Sequence, residues 1–204
     1  MKALRIERYG NEGVMELAEV EKPKPGVGQV LVKVKAAAVN PVDWKIRDGL
    51  GDMFGMTPPL ILGCEVAGTI DAVGNGNFAV GDEVYGYLGA HSGGYAEYVA
   101  APASEFVRKP KNVDFDTAAS VPVGALTAWQ GIFDHGKCTS GQRILITGAS
   151  GAVGSMAVQL AKNKGAHVIG LASGKNEEFV KNSGRMNSSI TRKRNSKREY
   201  AMWM

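Results

Sequence analysis

The chain has 204 residues, 44% of them hydrophobic, with 24 Lys and Arg against 20 Asp and Glu for a net charge of +4. Such length and apolar content support one substantial core and part of another, which excludes a disordered chain, and two cysteines exclude a disulfide scaffold. No segment approaches membrane-spanning length, and the opening Met1-Lys-Ala-Leu-Arg-Ile-Glu7 lacks the apolar stretch of a signal peptide, so a cytoplasmic location is expected.

The first part of the chain reads as β-structure. Gln29 to Ala36 alternates apolar and polar residues, as do pieces of Glu65 to Val73, and Gly, Pro and Asn clusters punctuate them at short spacing. After Asp114 the texture becomes helical. Asp114 or Asp116 can cap a helix through Ala118 and Ala119, and Pro122 divides it from a second one reaching Phe133. A domain boundary belongs in this region.

The most informative run is Arg143 to Gly154. Ile144 to Thr147 is a short apolar stretch suited to the middle of a parallel sheet. Helix periodicity follows at once, with Val153, Met156, Ala157, Leu160 and Ala161 forming an apolar stripe that ends at Gly165. Ala166 to Leu171 supplies a second strand, completing a βαβ unit. Gly148, Gly151 and Gly154 permit a tight turn, close approach to phosphate, and close helix-on-strand packing. The N–H groups of Gly148, Ala149, Ser150, Gly151, Ala152, Val153 and Gly154 form the expected cradle for a dinucleotide pyrophosphate. A helix-packing turn that binds nothing is the competing reading.

The second strand chooses the cofactor. An Asp or Glu roughly 20 residues beyond the glycines receives the ribose hydroxyls of NAD. Here Ala172-Ser-Gly-Lys175 follows the strand, and the Ser173 hydroxyl and Lys175 cation suit a 2′-phosphate, so NADPH is expected over NADH.

Several landmarks, taken in order, resemble one family: Ala38-Val-Asn-Pro-Val-Asp-Trp-Lys45, Gly63-Cys-Glu-Val-Ala-Gly68, Gly81-Asp-Glu-Val-Tyr-Gly86, Gly93-Gly-Tyr-Ala-Glu-Tyr98, Leu126-Thr-Ala-Trp129 and the glycine run. Residues 1 to about 184 are similar to the zinc-free quinone-reductase branch of the medium-chain dehydrogenase/reductase family. The resemblance implies an α/β fold with a GroES-like β-barrel over residues 1–120. An incomplete Rossmann doubly wound parallel sheet would occupy residues 121–184, with the active site in the cleft between the two. It implies hydride transfer from NADPH to a quinone or activated alkene, with Asn40 and Asp43 on the substrate side and Thr127 at the nicotinamide end. It also implies homo-oligomers for full-length relatives.

Other roles stay open for these residues. Asn40 before proline is an ordinary turn starter, Asp43 can cap locally or pair with Lys45 or Arg47, and Thr127 can bond within its helix. Trp44, Tyr85, Tyr87 and Tyr95 can shape an aromatic pocket or fill the core. Zinc is not expected: by the resemblance, Asn40 and Cys64 stand where the sister zinc enzymes place a catalytic Cys and His, and the loop of clustered cysteines is missing. Cys64 and Cys138 read as small buried residues, and His91, His135 and His167 as structural or exposed.

Beyond Gly184 the family pattern breaks. Arg185 to Met204 shows neither strand nor helix periodicity and is expected to be disordered. Its six Lys and Arg against one Glu give +5, leaving −1 for the preceding residues. With suitable codons, restoring one base before position 185 yields Ala-Asp-Glu-Phe-Ile-Asp-Tyr, which resembles the family's continuation. A single-base deletion with early termination is therefore the expected origin of the tail, with an unprotected sheet edge at Ile144 to Thr147 and impaired turnover as its consequences. The competing readings are an inactive product, a non-enzymatic nucleotide-binding module, and a zinc alcohol dehydrogenase. No nucleic-acid or membrane partner is expected, because recognition aromatics are not interleaved with the basic residues.

Overall fold

A computed structural model of the chain describes residues 1–74, 76–89, 93–184 and 189–192. The chain divides into two units, Met1–Pro122 and Val123–Met204. In the first unit the elements are β1 (Lys2–Ile6), β2 (Met15–Glu19), β3 (Gln29–Ala37), α1 (Pro41–Arg47), β4 (Leu60–Ile61), β5 (Glu65–Val73), β6 (Glu83–Tyr87), β7 (Tyr98–Pro102), β8 (Phe106–Arg108) and α2 (Phe115–Ala119). The strands form a three-stranded sheet in the order β2-β1-β4 and a five-stranded antiparallel sheet in the order β7-β3-β5-β6-β8.

Strand pairing among the described residues does not close these sheets into a barrel. The segment around Tyr95 links them instead, through Leu4 N–H to Tyr95 C=O at 2.8 Å and Glu97 N–H to Lys2 C=O at 3.1 Å. The core of the larger sheet is built from Val30, Val32, Val66, Ile70, Val84 and Leu88, all buried. Each such side chain stabilises the fold by about 1.5–3 kcal/mol relative to exposure. The expected alternation along β3 holds only in part, since Val30, Leu31 and Val32 are buried in succession. A register shift against β5 between Leu31 and Val32 accounts for the local break, because a bulge turns consecutive side chains out of strict alternation.

Two helix starts follow from capping chemistry. Asp114 rather than Asp116 caps α2, its Oδ1 accepting the Thr117 N–H at 2.8 Å; the Thr117 side chain, then this N–H, holds its carboxyl below the usual range. Asn40 stands at the N-cap of α1 in extended conformation, with Pro41 in the first turn, so the Asn-Pro pair begins a helix as well as a turn.

The second unit holds α3 (Pro122–Trp129), β9 (Arg143–Thr147), α4 (Ala152–Asn163), β10 (His167–Ser173), α5 (Glu177–Gly184) and β11 (Ser189–Arg192). The helix begun by α3 runs on as a π-helical turn over Gln130–His135. β9, β10 and β11 pair in parallel in the order β11-β10-β9. The expected βαβ unit is present, with β9 at the sheet edge among the described residues and Leu145 44% exposed, the edge position expected where the family pattern breaks off. The buried stripe of α4 is also shifted. Gly154, Ala157, Val158 and Ala161 face inward, whereas Val153 is exposed, because the small sheet covers only one side of the helix.

The tail differs from expectation as well. Residues 189–192 pair along β10, with Leu171 opposite Ile190 and Ala172 opposite Thr191. β-Branched residues suit a strand, and the free edge of β10 offers backbone partners, so local non-periodicity is overridden by pairing. The remaining tail residues lie outside the described ones, as does His91. His135 and His167 are exposed, and Cys64 and Cys138 are free and buried.

Candidate functional site

The sequence points to two sites, one in each unit. In the first unit, the turn after β3 delivers Asn40 and α1 delivers Asp43, while Cys64 and Glu65 arrive from the start of β5. Asp43 is 3% exposed, Glu65 2% and Cys64 2%. Two carboxylates at this depth need partners, since an uncompensated buried charge is costly.

Hydrogen bonds supply them. Asp43 Oδ2 accepts the Asn40 backbone N–H and the Tyr95 hydroxyl, each at 2.7 Å. The Asn40 Nδ2 donates to Glu65 Oε1 at 2.7 Å and reaches Cys64 Sγ at 3.7 Å. Asp43 Oδ1 is buried without a partner among the described residues. Tyr95 is set in place by its own N–H, which donates to Leu62 C=O at 2.9 Å. Burial, then the Asp43 bond, pushes its phenol well above the usual range. Burial, then the charges of Asp43 and Glu65, pushes the Cys64 thiol up to about 12.

The structure thus brings Asn40 and Asp43 together, and adds Glu65, Tyr95 and Cys64, whose part in one network sequence spacing did not reveal. The aromatic residues divide. Tyr85 packs against the buried Ala67, Ala118 and Ala119, whereas Trp44 and Tyr87 remain substantially exposed. Among the described residues no group of three or more His, Cys, Asp and Glu side chains is arranged to hold a metal.

In the second unit, Gly148 follows β9 with φ +65, and a Cβ built on it would meet nothing within 4 Å. That backbone conformation favours glycine, and the space beside it is open. A Cβ on Gly154 would lie 2.1 Å from Gly148 O, so α4 can press this close to the turn only with glycine there. No side chain caps α4, whose N-cap is Gly151; the Ser155 N–H is bonded back to Gly151 C=O at 2.9 Å. The corner is open rather than plugged, and the N-terminal N–H groups of a twelve-residue helix carry positive partial charge suited to an anion.

Ser150 and Asn176 tie this corner to the end of β10, Asn176 Nδ2 donating to Ser150 Oγ at 2.9 Å. Ser173 and Lys175 precede Asn176 at the strand end and are both exposed. Thr127 is exposed on α3, and a Cβ on Gly124 in the same helix would lie 3.1 Å from Ala152 O, so α3 packs beside the start of α4. Asn176 and Gly124 were not identified from sequence. Gly124 had a usable signal, a glycine inside a helix pattern, which marks close packing.

Comparison with known proteins agrees with both units. The family model "Alcohol dehydrogenase GroES-like domain" matches residues 26–111. A chloroplast envelope quinone oxidoreductase homolog of Arabidopsis thaliana is 39% identical over 195 residues, covering 90% of this chain and 59% of that protein. The solved quinone oxidoreductase of Coxiella burnetii superposes with a TM-score of 0.87 at 33% identity, covering all of this chain and 65% of that one. The chain is similar to quinone oxidoreductases that share this GroES-like domain. It spans about three fifths of the length of these relatives. A further family structure, a mycobacterial protein described as complexed with NADPH, matches with a TM-score of 0.82 at 29% identity, covering 96% of this chain and 60% of that one. The β-rich first unit and the partial Rossmann-like parallel sheet match the fold of these structures.

Proposed function

We propose that this chain carries the parts of an NADPH-dependent, zinc-free quinone or enone reductase, with the cofactor at the glycine corner and the substrate at the Asn40–Asp43 cluster. The observation that carries the cofactor assignment is the open, uncapped start of α4 behind Gly148, Gly151 and Gly154. A pyrophosphate there would accept the N–H groups of Gly148, Ser150, Ala152, Val153 and Gly154, since the Ala149 N–H is given to Leu171 C=O at 3.0 Å and the Gly151 N–H to Gly148 C=O at 2.9 Å. Ser173 and Lys175 would take a 2′-phosphate, and the Ser150–Asn176 bond would hold their loop against the turn. Thr127 would meet the nicotinamide end.

NADPH, when bound, supplies the hydride. The protein's part is to seat and orient the acceptor and to exclude competing chemistry. The donor set at Asn40 and Cys64 suits a zinc-free reading, since a neutral carboxamide is a poor zinc ligand beside thiolate, imidazole and carboxylate, and the Asn40 amide is engaged by Glu65. The mycobacterial NADPH complex and the quinone oxidoreductase relatives support the same chemistry.

Titration of the purified chain with NADPH and NADH, followed by NADPH oxidation with a quinone and an enone, tests the assignment. Lys175→Ala is expected to weaken NADPH roughly tenfold, the scale of one charge-assisted contact, and to leave NADH unchanged. A preference for NADH in the parent chain overturns the roles of Ser173 and Lys175, and saturable binding of neither overturns the cofactor site.

A further inference from the structure

We propose that the phenol of Tyr87 is the hydrogen-bond donor that receives a ligand's carbonyl oxygen beside the Asn40–Asp43 cluster. The inference rests on reading that cluster as the substrate side of a quinone or enone reductase, and names the group that recognises the carbonyl.

Strand register supplies the geometry. Glu65 on β5 is the direct partner of Tyr87 on β6, and Ala67 is the partner of Tyr85, so these four side chains lie on one face of the sheet. α2 covers the Ala67–Tyr85 end through Ala118 and Ala119. The Tyr87 end remains open, and Tyr87 is 40% exposed although its partner Glu65 is 2% exposed. Tyr87 therefore stands at the rim of the polar cluster, on the same face as the carboxylate that holds Asn40.

The donors of the cluster leave few alternatives. A quinone or enone carbonyl offers only acceptor lone pairs, and it gains negative charge as hydride arrives, so it calls for a donor. Asn40 directs its amide N–H groups at Glu65 and Cys64, and the Tyr95 hydroxyl is given to Asp43. The Cys64 thiol is buried. For the Tyr87 hydroxyl there is no partner among the described residues. Burial, followed by the nearby Cys64, Glu105, Glu65 and Asp43, raises its pKa, which keeps the proton on the phenol and available to donate.

Equilibrium dialysis of the full chain with naphthoquinone, and with naphthalene as its carbonyl-free counterpart, provides the test. Tyr87→Phe should weaken naphthoquinone roughly five- to tenfold, the scale of one net hydrogen bond, and leave naphthalene unchanged. Tyr85→Phe, in the core, should retain the parent's ratio of the two affinities. Unchanged naphthoquinone affinity in Tyr87→Phe overturns the proposal, and so does an equal loss of both probes. If the parent binds NADPH but no naphthoquinone, the substrate reading and the role of Tyr87 fall together. If it shows the Tyr87-dependent preference but does not bind NADPH, only the cofactor reading falls.

Discussion

The two candidate sites are built on opposite plans. The cluster around Asn40 is made of side chains drawn from separated segments, buried, and largely satisfied by one another. The glycine corner is made of backbone from one continuous run, with side chains kept away so that N–H groups stay accessible. A site of the first kind fails when a partner is removed. One of the second kind fails when an atom is added.

Gly154→Ala adds such an atom and should have the largest effect on ligand binding. Its Cβ would fall 2.1 Å from Gly148 O, a contact with backbone that no rotamer relieves. α4 must then move away from the turn, with an expected cost of about 1–3 kcal/mol from overpacking and loss of NADPH binding. Urea unfolding combined with cofactor titration checks both. Normal stability together with normal binding would show that close helix-on-turn packing is not what the glycine provides.

Removing a partner from the cluster should come next. Asp43→Ala leaves the Asn40 N–H and the Tyr95 hydroxyl without their acceptor, each at about 1–3 kcal/mol if it finds no other. Tyr95→Phe deletes one donor and should cost less, about 1 kcal/mol. A double-mutant cycle between them measures the coupling. Additive losses would mean that Asp43 and Tyr95 do not support one another.

The smallest effect concerns alkaline pH. Between the ordinary thiol value of 9.0 and about 12, the unfolded chain has lost the Cys64 proton and the folded chain has kept it. Folding stability from this group is complete below 9.0 and declines as pH rises through that window. Cys64→Ala should flatten that part of the stability–pH curve, and Cys64 should resist alkylation at neutral pH. Rapid modification of folded protein at neutral pH would contradict the burial argument.

The glycine corner could be read from sequence because its cause is local. Strand, turn and helix follow one another between Arg143 and Asn163, and three glycines within seven residues define the geometry without reference to distant segments. The cluster was legible only as names in a family pattern. Asn40 was linked to Glu65 by a contact across 25 positions and Asp43 to Tyr95 across 52, and no periodicity encodes such distances. Position within the sheet followed from the break in the family pattern and not from composition. Ile144 to Thr147 has the composition of a buried strand, yet β9 lies at an edge, because neighbours decide how many faces are covered.

The sequence by itself determined the elements of the βαβ unit, the polar end of β10 and an aspartate-capped start for α2, though not which aspartate, since each depends on interactions within a few residues. Tertiary structure alone decided which polar groups satisfy one another, which tyrosine is left at the rim, and that residues 189–192 join β10 as a strand. Those outcomes depend on burial and backbone pairing between distant segments, where the cost of an unpartnered group is set by its surroundings rather than by its place in the chain.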